Sequence, residues 1–265
     1  MLDLLGLPAW VPRPGRGPAM RLLQETKTVA DAAIERRHAK GPKDTPDLLY
    51  LLLAAQDPKT DRSMTTQELR DNLLTFIVAG HETTAQTLAW ALYLMGHDTQ
   101  AQDRARAEAQ TVLKGRVAGA DDLEALPYIR RVIDETLHLY PAGGLLSRTA
   151  LAKDTLCGTA IKPGDTVMIP VYALGRHRNL WDDPDAFRPD RFIDRKSIDR
   201  YAYLPFGDGP RICIGASFAL QEAVIILATL LSRFRFSAVK GHTPEPKMLI
   251  TLRSEGGVWM TAEPV

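Results

Sequence analysis

The sequence predicts a mainly α fold with a small β component, and three observations carry that prediction. Helical periodicity runs through most of residues 19–140 and returns at 214–234. β-prone runs broken by turn pairs are confined to residues 145–170 and to a short stretch near the C-terminus. The composition, 45% hydrophobic and 25% charged over 265 residues, is that of a globular chain with enough length for one large domain or two small ones.

The elements follow in order. AMRLLQETKTVADAAIERRHAK, residues 19–40, has helical spacing and ends at Gly41-Pro42. Thr45-Pro46 reads as an N-cap with proline at the first helical position, leading into DLLYLLLAA. Thr65-x-x-Glu68 is a capping box opening a long helix from about Thr66 to Met95, with Gly96 as its stop. Thr99 caps a polar amphipathic helix that ends at Gly115, and PYIRRVIDETLHLY forms another, stopped by Pro141. LLSRTALA, DTLCGTAI and, after Lys162-Pro163-Gly164-Asp165, TVMIPV form a small sheet region within the same domain. Residues 180–211, rich in Pro, Asp, Arg and Gly, read as a long structured loop of the kind kept for function. A helix from about Ile214 to Phe234 follows, then a terminal hairpin over 247–262 turning at Ser254-Glu255-Gly256-Gly257.

Charge and cysteine content exclude several classes. Lys plus Arg number 33 against 32 Asp plus Glu, so a net charge of +1 predicts no nucleic-acid partner. Two cysteines, Cys157 and Cys213, are too few for a secreted disulfide framework and fit a reducing, cytoplasmic setting. MLDLLGLPAWVPRPG has no basic n-region and its apolar run stops at Pro8, so neither a signal peptide nor a membrane span is expected there. The apolar stretch 72–95 is interrupted by His81, Glu82 and several threonines, which predicts a core helix.

Two stretches carry chemistry. In VAGHETTAQ, residues 78–86, His81-Glu82 opens like the zinc motif H-E-x-x-H, but its fifth position is Ala85, which removes the second ligand and with it the zinc-hydrolase reading. On its own the pair reads as a solvated polar patch of an amphipathic helix. In FGDGPRICIG, residues 206–215, Cys213 stands almost at a helix N-terminus, where backbone N–H groups and the helix dipole favour the metal-binding thiolate. Glycines 207, 209 and 215 allow backbone to approach a flat ligand. A lone cysteine is more often a small core residue. Here, however, every fixed position of F-x-x-G-x-R-x-C-x-G is filled, by Phe206, Gly209, Arg211, Cys213 and Gly215.

That loop resembles the haem-binding loop of the cytochrome P-450 family of haem-thiolate monooxygenases. The resemblance implies a cytochrome P-450-like fold and haem b, with Cys213 as the axial iron ligand pushing electron density to the metal. It implies that Arg211 pairs with a haem propionate and that Phe206 contacts the cofactor. AGHETT, Ala79 to Thr84, is similar to the family's oxygen-binding segment: Glu82 and Thr83 match its acid and alcohol pair for proton relay, and Gly80 makes room over the haem. Ser147-Arg148-Thr149 matches the strand offering a second propionate-binding arginine, FRPDRF (187–192) the meander motif, and Glu135-Thr136-Leu137-His138 the position of E-x-x-R. The implied reaction splits dioxygen and oxidises a small organic substrate, with electrons from a ferredoxin, flavodoxin or reductase. The implied oxygen-binding helix is that of residues 66–95.

Two departures stand out. The chain resembles the C-terminal half to three-fifths of a complete member, so a single partial domain, truncated at the N-terminus, is expected over 1–265. His138 replaces an almost defining arginine that joins Glu135 and the meander arginine; a raised imidazole pKa is expected if Glu135 holds the charged ring. A catalytically inactive remnant or haem-binding module of the same family stands beside the monooxygenase reading.

Overall fold

The structure is a computed structural model that describes residues 16–41 and 46–265. The N-terminal stretch considered above as a leader or span, and Thr45, lie outside the described residues. Two compact units divide the chain, residues 1–79 and 80–265, with the division inside a helix.

The described part of the first unit holds helix α1 (Arg16–Lys40), helix α2 (Leu48–Ala54) and the start of α3 (Thr66–His97). The capping box forms as the sequence predicts: Thr65 donates its N–H to Glu68 Oε2 at 2.9 Å, and Glu68 donates its own to Thr65 Oγ1 at 3.2 Å. The Arg62 guanidinium and the Thr65 groups together bring the Glu68 carboxyl down to about 2. Helix α2 starts later than expected. Asp47, not Thr45, is its N-cap, accepting from Tyr50 N–H at 3.0 Å while Arg37 forks onto the same carboxylate at 2.5 and 2.6 Å.

The second unit continues α3 and adds α4 (Thr99–Leu113), α5 (Pro127–Leu139), the single turn α6 (Val171–Leu174) and α7 (Ala216–Arg233). Asp98 caps α4 through a 2.9 Å bond from Ala101 N–H, so Thr99 is the first helical residue instead of the cap. The start of α5 has no cap of its own; Glu108 of α4 supplies one, accepting Tyr128 and Ile129 N–H at 2.9 Å each. The i, i+3, i+4 apolar stripes of these helices meet in one core. Met95, Leu113, Ile129, Ile133, Leu227 and Leu231 are wholly buried there. Helix α7 is long and apolar enough to cross a membrane, yet Val224, Leu227, Ala228 and Leu231 are buried in that core, the use a core helix makes of the same composition.

Among the described residues eight strands form four antiparallel pairs. β1 (Leu146–Thr149) pairs with β4 (Thr166–Ile169), and β2 (Asp154–Leu156) with β3 (Thr159–Ile161) across the turn Cys157-Gly158. β6 (Glu245–Met248) pairs with β7 (Leu252–Glu255), and β5 (Phe234–Ala238) with β8 (Met260–Pro264). The terminal hairpin therefore turns at residues 249–251, not at 254–257 as its glycines suggested. Gly256 and Gly257, both at φ +77, carry the chain from β7 to its separate ladder with β5.

Candidate haem-thiolate site

The loop before α7 is built to hold Cys213 outward. Phe206 packs against the core and its carbonyl accepts Cys213 N–H at 2.9 Å, which closes residues 206–213 into a ring. Inside that ring Gly207 and Gly209 sit at φ +73 and +72, backbone that side chains resist. Asp208 is held by Arg200 at 2.7 Å, and its carboxyl lies below the usual range because the Gly209 amide and Arg200 both bind it. Gly215 is the N-cap of α7, so Ile214 stays outside the helix and α7 starts two residues later than the sequence suggested. Cys213 is exposed, and Arg211 on the adjoining turn is exposed with no ion pair among the described residues.

The second group of predicted residues lies on α3. Gly80 is exposed, and a Cβ there would meet nothing within 4 Å. The Thr83 carbonyl accepts the Thr87 hydroxyl at 2.9 Å. The two oxygens of Glu82 accept from Thr251 Oγ1 at 2.7 Å and Arg253 Nη2 at 2.9 Å, and Arg253 Nε closes a further ion pair. The Arg253 and Thr251 hydrogen bonds, in that order, hold its carboxyl below the ordinary range, against a smaller opposing effect of burial. One turn on, Gln86 Oε1 accepts Ser254 N–H and its hydroxyl at 3.1 and 3.2 Å. The sequence reading missed this docking of β7 on α3, since partners about 170 residues apart leave no local pattern.

The stretch 142–146 touches both groups. Ala142 accepts Leu252 N–H of β7 at 2.9 Å, while Leu146 at the start of β1 lies 3.7 Å from where a Cβ on Gly207 would be. Arg148, two residues further along β1, is exposed and donates to the Ser147 carbonyl at 2.8 Å. The loop of Phe206 and Cys213 thus lies against β1, the strand of Arg148, and Glu82 is bound by the β6–β7 hairpin.

Behind the loop, the Glu135 cluster departs from the sequence expectation. Glu135 accepts Arg188 N–H at 2.8 Å and Arg191 Nε at 3.2 Å, so the glutamate and the meander arginine do meet. Burial nevertheless pushes its carboxyl up to about 7, over the opposing pull of Arg188 and Arg191. His138 Nδ1 is 3.6 Å from Glu135 Oε2, and neither ring nitrogen has a hydrogen-bond partner. The ring packs instead on Trp181, centroids 4.2 Å apart. Burial, with repulsion from Arg191 and Arg176, lowers the imidazole to about 3 against a weak opposing effect of the Gly175 backbone. The expected raised pKa is therefore wrong in sign: the ring is a neutral packing residue, because desolvation outweighs a carboxylate it does not touch.

The residues present fit a haem. Ile212, Ile214 and Phe218 around the exposed Cys213 thiol are 54, 86 and 70% exposed, an apolar margin suited to a flat macrocycle beside a soft ligand. Arg211 and Arg148 are exposed cations suited to propionates. Among the described residues no group of three or more His, Cys, Asp or Glu could hold a bare metal ion.

Comparison with known proteins agrees with these features. The family model for cytochrome P450 matches residues 1–260. The chain is 38% identical over 241 residues to the cyclooctat-9-en-7-ol 5-monooxygenase of Streptomyces melanosporofaciens, covering 90% of this chain and 52% of that one. It is 36% identical over 267 residues to the cyclooctatin synthase of the same organism, covering 99% and 58%. It is 36% identical over 236 residues to the bifunctional cytochrome P450/NADPH--P450 reductase 2 of Bacillus subtilis (strain 168), covering 88% and 22%. The chain thus spans little more than half the length of the first two relatives. With a fully matched cysteine loop and a family match over nearly every residue, the chain belongs to the cytochrome P450 family.

Proposed function

We propose that residues 1–265 form one partial cytochrome P450 domain acting in a haem-thiolate monooxygenase that oxidises a small organic substrate. The observation that carries this reading is the ring from Phe206 to Cys213, which presents an exposed thiol within an apolar margin. Haem iron bound there supplies the activation of dioxygen. Cys213 is the ligand, Arg211 and Arg148 neutralise the propionates, Phe206 fixes the loop, and Gly80 leaves room above the ring. Thr83 and Glu82 manage the protons, a contribution of about 10²–10⁴ in rate for general acid–base steps of this kind. Electrons come from a ferredoxin, flavodoxin or reductase; the name of the Bacillus subtilis relative joins a P450 to a reductase in one chain. The cysteine usage supports a cytoplasmic setting.

A second reading is an inactive remnant or haem-binding module of the same family. A carbon monoxide difference spectrum of the purified, reduced chain tests the haem assignment. We expect a thiolate-type Soret band that is lost in Cys213→Ala and kept in Cys157→Ala. The same spectrum from both variants and the wild type would overturn the ligand assignment. A thiolate-type band without oxidation of any substrate in the presence of an electron donor would favour the haem-binding module.

A further inference from the structure

Only one glycine in the chain follows an aspartate or an asparagine, and it stands inside the Cys213 loop: Gly209, after Asp208. We propose that Asp208-Gly209 is a covalent modification site, at which the aspartate isomerises to isoaspartate through a succinimide, and that Arg200 restrains the reaction. The consequence for the cofactor rests on the ligand role proposed for Cys213; the modification itself does not.

The geometry brings the reacting groups together. The Gly209 amide lies against the Asp208 carboxyl, on backbone that is extended at Asp208, with φ −152 and ψ 168. Gly209, at φ +72, has no side chain and open space where a Cβ would be, so its nitrogen is unhindered. Ring closure joins that nitrogen to Asp208 Cγ: a Cγ–N bond forms, a Cγ–O bond breaks, and the acid hydroxyl leaves as water with the amide proton. A water molecule then opens the succinimide. Attack at Cγ restores aspartate, whereas attack at the α-carbonyl carbon leaves Gly209 joined through the side chain, on a main chain longer by one methylene. No oxidant or other co-reactant is needed.

Arg200 opposes the first step. Its Nη2 donates to the two Asp208 oxygens at 2.9 and 2.7 Å, and it is the charged group that bears on this carboxyl. The hydroxyl leaves from the protonated acid, which the Gly209 amide and Arg200 keep scarce by holding Asp208 below the ordinary carboxyl range. The guanidinium is itself exposed, so the restraint is partial. The added methylene falls within the ring that Cys213 N–H closes on the Phe206 carbonyl at 2.9 Å, and the thiol loses its fixed position.

The test holds the full chain, haem-free, at 37 °C and pH 6 in 18O-labelled water, as wild type, Arg200→Met and Asp208→Glu, and maps the digests by mass spectrometry with electron-transfer fragmentation. Labelled isoaspartate should form at position 208 in wild type and about fivefold faster in Arg200→Met, the scale of an exposed ion pair. Asp208→Glu, whose closure needs a six-membered imide, should stay unmodified. Haem uptake of the aged chains should fall in step with isoaspartate content and stay level in Asp208→Glu. No isoaspartate in wild type and Arg200→Met, or equal rates in the two, would overturn the inference, even beside a normal thiolate-type Soret band. Labelled isoaspartate in a chain whose fresh form shows no such band would support the site while overturning the monooxygenase reading.

Discussion

His138 Nδ1 lies 3.6 Å from Glu135 Oε2, with both side chains wholly buried, and no hydrogen bond joins them. The pair shares a spacing of three residues on α5 but not a proton, and this sets how the cluster responds to pH.

Because the folded imidazole is held at about 3, below an unfolded value near ~6.5, the unfolded chain binds a proton that the folded chain refuses. Stability from this group therefore falls as pH drops below ~6.5, by ~1.4 kcal/mol per pH unit. His138→Leu removes the effect and two unpartnered nitrogens. The variant should gain on the wild type by about 2 kcal/mol more at pH 5 than at pH 7.5. Urea melts of both proteins at both pH values decide it; equal differences would mean that the ring finds a partner in solution. Glu135 slopes the other way, but it is present in both proteins and cancels.

Arg191 joins Glu135 to the loop, since its guanidinium also donates to the carbonyls of Asp182 at 2.5 Å and Asp183 at 2.9 Å. Arg191→Met should cost about 3–5 kcal/mol near pH 8, the range for removing one partner of a buried pair. The sign of its pH dependence follows from Glu135. A carboxyl raised to about 7 carries no penalty below its unfolded pKa and a growing one as pH rises to the folded value. Losing the cation raises it further, so the loss should be smaller at pH 5.5 than at pH 8. Thermal melts at the two values measure this.

Gly80 separates folding from cofactor binding. A Cβ there meets nothing within 4 Å, and a mid-helix glycine costs about 0.5–1 kcal/mol relative to alanine. Gly80→Ala should stabilise the haem-free chain by that amount, whereas Gly80→Phe should fold and yet take up less haem. Melting temperature and haem titration give the two answers; undiminished uptake in Gly80→Phe would remove Gly80 from the cofactor site.

Thr83→Ala is expected to leave haem binding unchanged and to divert reduced oxygen to hydrogen peroxide in the presence of an electron donor. Peroxide formed per electron consumed is the measurement. Full coupling to product in the variant would show that Thr83 handles no proton.

Much of this was legible beforehand because it is local. The capping box at Thr65 and Glu68 and the loop of Cys213 are each specified within a dozen residues. What was misread depends on distant partners. The terminal glycines look like a hairpin turn, but β8 finds β5, more than twenty residues upstream. His138 looks like a titrating substitute for arginine, but Trp181, 43 residues downstream, sets its environment. Arg253 carries no motif at all, and its meaning comes from the docking of β7 on α3.

The packing around His138 also constrains how this chain can change. Trp181 lies against the ring, Phe192 stands edge-on to it, and Gly175 is so close that a Cβ would come within 2.5 Å of the His138 carbonyl oxygen. A longer side chain at position 138 would meet the Trp181 indole, whose centroid lies 4.2 Å from that of the imidazole, so such a replacement requires Trp181 to move.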